Sequence, residues 1–309
     1  MISIIMLTYN REEYVGRMIE SVLAQTYTNF EYIIVDNGSS DKSGVIAEEY
    51  AARDQRIRVI HRERGNIGSG RNAGLDAARG DYIAFVDDDD YLEPTFLEYL
   101  HNLAIENNAD IAVCGSWREI NGQRSSKYIF DGTYHYSGEE AVREMLKRDQ
   151  YNSATPTKLF AKNIFEHHRF SETAKYDDIE LTYRLFATAD RVAVSGVPQY
   201  TFVRHAANNS QGTTVGEQVN TEQIKIYLDV FQKRTRWLSE KFPKNVQYWL
   251  YTELSYILSM YEKSSDHELK EELIRKMREN ADAWSSMERY YSDRDQTLTK
   301  QFEEVLYES

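Results

Sequence analysis

The chain has 309 residues, 41% of them hydrophobic, with 4 prolines and a net charge of -13. This is the composition of a globular protein with room for one large or two small domains, and it excludes a disordered or fibrous chain. The acidic balance argues against nonspecific nucleic-acid binding, which needs a basic footprint, but a metal ion or helix N-termini can still hold a phosphate-bearing ligand.

Residues 2–8 form a short β-branched run of the buried type, so a strand opens the fold. The N-terminal stretch lacks the basic region and cleavage site of a secretory signal. Apolar residues at Tyr14, Val15, Met18, Ile19, Val22 and Leu23 give residues 11–24 helical spacing. A second strand is predicted at 30–36, and the Gly38-Ser39-Ser40-Asp41 cluster turns the chain and caps a helix reaching 47–53. Strand 57–61, helix 69–78 and strand 82–86 follow. Pro94 suits the first turn of a helix running to about residue 106, and 109–115 is another strand. Cys114 is the single cysteine and lies in that apolar run. It reads as a small core residue in a reducing compartment.

The pattern weakens over 122–150, where a loop or hairpin precedes a short helix at 139–147. A helix opens at Asp177, and strands at 192–195 and 200–203 flank Gly196-Val197-Pro198. From Glu217 onward the chain is free of glycine and shows helical spacing, for example at Ile224, Tyr227, Leu228 and Phe231. This predicts a first domain over 1–215, with halves at 1–117 and 118–215, and a helical subdomain over 216–309. The boundary falls near Thr213-Thr214-Val215-Gly216. No apolar stretch approaches the roughly 20 residues of a membrane-crossing helix. The expectation is a soluble, cytoplasmic protein, compatible with peripheral contact at the inner face of the membrane.

Strand–helix alternation with short connections predicts an α/β fold with a mostly parallel sheet flanked by helices. Such sheets bind ligands beyond the carboxyl ends of their strands. Polar residues collect there: Thr8-Tyr9-Asn10-Arg11 after the first strand, Asp36-Asn37 after the second, and Asp87-Asp88-Asp89-Asp90 after the fourth. Four adjacent carboxylates repel unless a cation neutralises them, and oxygen ligands of this kind suit Mg²⁺ or Mn²⁺ completed by substrate phosphates. A solvated acidic turn capping the next helix is the plainer explanation. Asn66-Ile67-Gly68-Ser69-Gly70-Arg71 permits close backbone approach to a diphosphate, with Arg71 available for charge-assisted bonds; a simple helix cap is the alternative. Asp177-Asp178 in a first helical turn and Arg204-His205 after a strand carry little meaning in isolation.

Taken together these segments resemble glycosyltransferase family 2. Residues 3–11, Phe30-Glu31-Tyr32-Ile33-Ile34-Val35-Asp36-Asn37-Gly38-Ser39-Ser40-Asp41, Asn66-Ile67-Gly68 with Arg71-Asn72 and Gly74, and 80–90 match four ordered motifs of that family. The likeness extends more loosely through Lys158-Leu159-Phe160, Asp177-Asp178 and Arg204-His205. It implies a GT-A fold and inverting transfer of a sugar from a UDP-sugar donor. Thr8, Tyr9, Arg11 and Asp36 would hold uracil and ribose, with Asn66, Gly68, Arg71, Asp88 and Arg204 supporting the nucleotide and Asp87 its ribose. Asp89 and His205 would hold Mn²⁺ or Mg²⁺. Asp178 would be the general base, ionised at an ordinary carboxylate pKa, beside Asp177, which is one methylene shorter than the family's usual Glu and would face the acceptor.

The implied acceptor is a hydroxyl on a glycan, a lipid-linked saccharide, a polymer or a glycoprotein. A nucleotidyltransferase and a non-catalytic nucleotide-sugar scaffold are the competing readings. The first would release pyrophosphate from a nucleoside triphosphate. The second would be favoured by loss of Asp89 or Asp178, both of which are present. The aromatic C-terminal helices are expected to pack, with homo-oligomerisation or glycan stacking as sharper roles.

Overall fold

The computed structural model describes residues 1–205, 219–282 and 300–306. The chain divides into two compact units, Met1–Ala206 and Ala207–Ser309. The boundary expected near residues 213–216 lies outside the described residues.

The first unit begins with β1 (Ile2–Thr8), α1 (Val15–Leu23), β2 (Phe30–Asp36), α2 (Ser43–Ala51), β3 (Ile57–His61), α3 (Ile67–Ala77) and β4 (Tyr82–Asp87). It continues through β5 (Tyr91–Leu92), α4 (Phe96–Glu106), β6 (Ile111–Ile120), β7 (Gln123–Lys127), β8 (Thr133–Tyr136) and α5 (Gly138–Lys147). β9 (Lys158–Ala161), α6 (Asp177–Thr188) and β10 (Val192–Arg204) complete it. The main sheet order is β3-β2-β1-β4-β9-β6-β10-β5.

Strands β3, β2, β1 and β4 are parallel to one another. Their burial explains the unbroken apolar runs: Ile2, Ile4, Ile5 and Met6 of β1 are all at most 1% exposed, as a strand covered on both faces requires. Beyond β4 the pairing becomes mixed. β9 runs antiparallel to both β4 and β6, while β10 runs parallel to β6. The parallel expectation therefore describes the first half of the sheet. The second half is reshaped by the β6–β7 hairpin, whose turn residues Asn121 and Gly122 both have positive φ, at 51° and 77°. That is the pattern of a two-residue turn matched to strand twist.

The segments at 192–195 and 200–203 are one strand, β10. Its register against β6 shifts on both sides of Pro198, which cannot donate a ladder hydrogen bond. α5 starts on a capping box: Ser137 Oγ accepts from the Glu140 amide, and the Glu140 carboxylate accepts from the Ser137 amide. One core cluster joins β1, β2 and β4 to α1 and α4 through residues such as Met6, Met18, Ile34, Val86, Leu97 and Tyr200. Cys114 is buried within it. Another layer stacks Phe85 edge-to-face on Phe160, Phe165 and Phe170.

The second unit contains α7 (Thr221–Lys241), α8 (Val246–Lys263) and α9 (His267–Glu279). Its aromatic content is largely internal. Tyr248, Trp249, Tyr251 and Tyr256 are buried, and Tyr256 lies 4.3 Å from Phe231, ring centre to ring centre. These four fill a helical core, whereas Tyr261 is partly exposed; Trp284, Tyr290 and Tyr291 lie outside the described residues. Among the described residues, no helix is long and apolar enough to cross a membrane.

Candidate active site

The carboxyl ends of β1, β2 and β3 are stitched together by polar side chains. Asn10, at φ 51°, accepts from the Ser40 amide through Oδ1 at 2.8 Å, and its own amide donates to Ser39 Oγ at 3.1 Å. The Arg11 amide donates to Ser43 Oγ at 2.7 Å. Asn37 exchanges two hydrogen bonds with the backbone of Gly65. Asp36 is held from both sides: Oδ1 accepts from the Ser39 amide at 3.0 Å, and Oδ2 lies 2.9 Å from His61 Nδ1. The other ring nitrogen of His61 meets Glu48 at 2.9 Å, and the two acids raise the histidine pKa, Asp36 most. Tyr9 lies beneath the Arg64 guanidinium, 4.3 Å from it. Tyr9, Arg11 and Asp36 are thus each held by a neighbour at this end of the sheet.

The acidic loop after β4 divides its labour. Asp90 is a structural carboxylate: Tyr200 Oη donates to Oδ2 and the Val203 amide to Oδ1, both at 2.7 Å. Asp88 is buried and its pKa is pushed up to about 8, first by desolvation and then by neighbouring Asp89. Arg11 Nε lies 3.8 Å from Asp88 and 4.0 Å from Asp89. Asp89 Oδ2 lies 3.1 Å from His205 Nε2, and the His205 ring stacks on Tyr14 with centres 4.2 Å apart. Arg204 precedes His205 at the end of β10.

Two ligand atoms 3.1 Å apart fit adjacent corners of an octahedral ion, whose roughly 2.1 Å bonds set neighbouring donors about 3.0 Å apart. Among the described residues no group of three or more His, Cys, Asp or Glu side chains forms a metal cage. An ion held by Asp89 and His205 would need its remaining ligands from elsewhere.

Arg71 binds the two halves of the site. It is buried on α3, donating through Nη1 to Asp177 at 2.7 Å and through Nη2 to Asp87 at 3.2 Å. Arg71, expected on the diphosphate, holds two carboxylates of the protein, and Asp177, expected at the acceptor, bonds to Arg71. Asp87 keeps an open flank, with its side chain 41% exposed.

Asn66 and Gly68, expected to support the nucleotide, lie at the start of α3. Asn66 Oδ1 caps α3 by accepting from the Ser69 amide, while its Nδ2 donates to the carbonyls of Ser171 and Ala174. A Cβ on Gly68 would stand 2.2 Å from the Ser171 carbonyl oxygen, and one on Gly70 2.2 Å from Leu7 Cδ1. The close approach these glycines permit is to the protein's own backbone and strand. At Asp178, desolvation and the adjacent Asp177 push the pKa up to about 6, against the pull of Arg71. It is not the ordinary carboxylate expected.

Residues 3–169 match the model of glycosyl transferase family 2. The chain belongs to glycosyltransferase family 2. It is 29% identical over 244 residues to the glycosyltransferase GlyG of Streptococcus pneumoniae, covering 76% of this chain and 79% of GlyG. It is 36% identical over 206 residues to the Bacillus subtilis glycosyltransferase EpsJ, covering 62% of this chain and 58% of EpsJ, so it spans less than two thirds of that relative. It is 26% identical over 240 residues to TarP of Staphylococcus aureus, a poly(ribitol-phosphate) β-N-acetylglucosaminyltransferase, covering 75% and 71%. Among solved structures, S. aureus TarS 1–349 in complex with UDP-GlcNAc superposes with a TM-score of 0.72 at 18% identity, covering 99% of this chain and 90% of that one. At that identity the match speaks for the GT-A fold. This family-2 chain is accordingly a glycosyltransferase by class.

Sequence reasoning missed Tyr14, His61, Arg64 and Tyr200, which hold site residues in place. Tyr200 and His61 are isolated polar residues on apolar strands, and only three-dimensional pairing reveals their partners.

Proposed function

We propose that this enzyme transfers a sugar from a UDP-sugar to an acceptor hydroxyl with inversion at the anomeric carbon. The observation that carries the reading is the single Arg71-centred cluster. It joins Asp87, on the β4 loop that also carries Asp89, to Asp177, immediately before Asp178. Asp178 thus sits beside the acidic loop, where a base and a leaving group must be held at fixed separation.

In this reading Thr8, Tyr9, Arg11 and Asp36 hold the uridine, with Asp87 open to its ribose. Asp89 and His205 would hold Mn²⁺ or Mg²⁺, which neutralises the departing diphosphate. Arg204 supports the same phosphates. Asp178 accepts the proton of the acceptor hydroxyl while the oxygen bonds to the anomeric carbon from the face opposite UDP. The bond to UDP breaks as the new one forms. Arg71 fixes the two acidic segments and touches neither substrate.

The support from relatives is of two kinds. TarS was solved with UDP-GlcNAc and also with UDP, which favours a UDP-linked donor. TarP is named an N-acetylglucosaminyltransferase. The test is incubation with a panel of UDP-, GDP- and dTDP-sugars, with Mn²⁺ or with EDTA, measuring free nucleotide diphosphate. Slow donor hydrolysis needs no acceptor. Metal-dependent release of UDP from one sugar is the expected result, lost in Asp89→Ala and Asp178→Asn. Pyrophosphate release from a nucleoside triphosphate would overturn it in favour of nucleotidyl transfer, and failure to bind any nucleotide diphosphate would remove the donor site.

A further inference from the structure

The β6–β7 hairpin presents two different faces. On one, Arg124 meets Glu93 at 2.8 Å and Glu119 at 3.9 Å, so its charge is balanced. On the other, register aligns Ser116 with Lys127 across the hairpin, and Tyr200 and Phe202 of β10 with Ser116 and Arg118 of β6. Aligned residues of neighbouring strands project to the same side. Arg118 and Lys127 therefore share a face with Phe202, and Arg204 follows two residues on along the same strand.

The contacts on this face are cationic and aromatic. The Lys127 ammonium lies 4.0 Å from the centre of the Phe202 ring. Phe202 in turn packs on Tyr200 at 4.8 Å, and Tyr200 is bonded to Asp90 and to the Asp87 amide. The basic pair thus stands one aromatic layer from the acidic loop. Arg118 Nε is buried with no hydrogen-bond partner. Burying a donor on a charged group without a partner is costly, and an anion bound beside Arg118 would supply the acceptor. The Lys127 pKa is pulled down to about 8, by desolvation first and then by repulsion from Arg204 and Arg118. An anion placed among these cations would reverse that repulsion.

We propose that Arg118 and Lys127 form an anion subsite beside the transfer centre that takes a phosphate group carried by the acceptor. The proposal rests on the transferase reading above for the position of that centre. Phosphate suits the site better than carboxylate because Arg118 and Lys127 present two cations, and a phosphate offers three acceptor oxygens and up to two charges. Asp178 would then act on a hydroxyl of the same phosphorylated molecule.

The experiment is calorimetric titration of the full chain, saturated with Mn²⁺ and UDP so that the donor site is filled. The probes are glycerol 3-phosphate, glycerate and glycerol. Glycerol 3-phosphate should bind, with glycerate and glycerol weaker by about tenfold or more. Lys127→Gln and Arg118→Gln should each weaken glycerol 3-phosphate by about tenfold while UDP affinity stays within about twofold. Lys127→Arg should keep phosphate binding, which separates charge from misfolding. Unchanged binding in both glutamine variants, or equal binding of glycerate, would overturn the subsite. If UDP does not bind to the wild type, the donor reading fails instead, and titration without UDP still tests the subsite through the same substitutions.

Discussion

A carboxylate that takes a proton from a sugar hydroxyl must be ionised to do so. With a pKa pushed up to about 6, Asp178 is about nine tenths ionised at pH 7 and about one tenth at pH 5. The rate of transfer should therefore fall as pH drops through about 6, a full unit or more above the point expected for an unperturbed aspartate. A pH profile of kcat/KM measures this, and a profile flat down to about pH 5 would remove Asp178 as the base. Asp178→Asn should lower kcat by about 10²–10⁴-fold with UDP affinity kept. Arg71 belongs to a different class of residue. Its loss leaves Asp87 and Asp177 without their shared cation, so Arg71→Met should cost about 3–5 kcal/mol of stability, read by denaturant unfolding. Lysine should rescue poorly, since it lacks the fork that reaches both acids. The residue types of the site were legible because they follow strands in fixed motifs. The inward turn of Asp177 was not, because it depends on a partner 106 positions away.

At the scale of elements, α3 is placed by what its glycines leave out. A methyl on Gly68 meets the backbone carbonyl of Ser171, whereas one on Gly70 meets the end of the Leu7 side chain. Backbone cannot turn aside as a leucine rotamer can, so Gly68→Ala should be the more destabilising, with overpacking costs of about 1–3 kcal/mol as the scale. Thermal melts of the two variants check the order. Because the displaced segment at 170–174 leads into α6, Gly68→Ala should also lower kcat by shifting Asp178, while Gly70→Ala should not. Strands β1 to β4 were legible to within a residue because each is an apolar run bounded by turn residues. The β6–β7 hairpin was not placed from sequence, although Asn121-Gly122 is a strong turn signal; its exposed strand Gln123–Lys127 carries no apolar alternation to accompany it. The continuity of β10 was hidden by Gly196 and Pro198, which punctuate a sequence but here sit in a bulge.

For the whole molecule, the acidic loop sets how stability responds to pH and to ligand. Asp88 rises from an ordinary 3.8 to about 8 in the folded chain. Across that window the folded state holds a proton that the unfolded state has released, so stability falls as pH rises. His61 acts in the same direction: its value is raised above 6.5 by Asp36 and Glu48, so its contribution is present below 6.5 and lost as pH climbs through the raised value. Asp41 and Asp54, whose values are lowered, contribute stability that is lost only below about 3.8 and do not oppose this trend. In EDTA the melting temperature should thus decline between about pH 5 and about pH 7; above that, Lys158 and Lys127, whose values burial pulls down to about 7 and about 8, add stability as pH rises and flatten the curve. A divalent ion with UDP replaces the proton as the partner of the acidic loop and stabilises the fold by mass action, most where the proton is already gone. Differential scanning fluorimetry across that range, with EDTA or with Mn²⁺ and UDP, should show the two curves diverging as pH rises. Asp88→Asn should flatten the EDTA curve, because the amide cannot ionise. A melting temperature that climbs with pH in EDTA below about pH 7 would mean that the four carboxylates are neutralised within the protein itself, and the need for a cation at Asp89 and His205 would go with it.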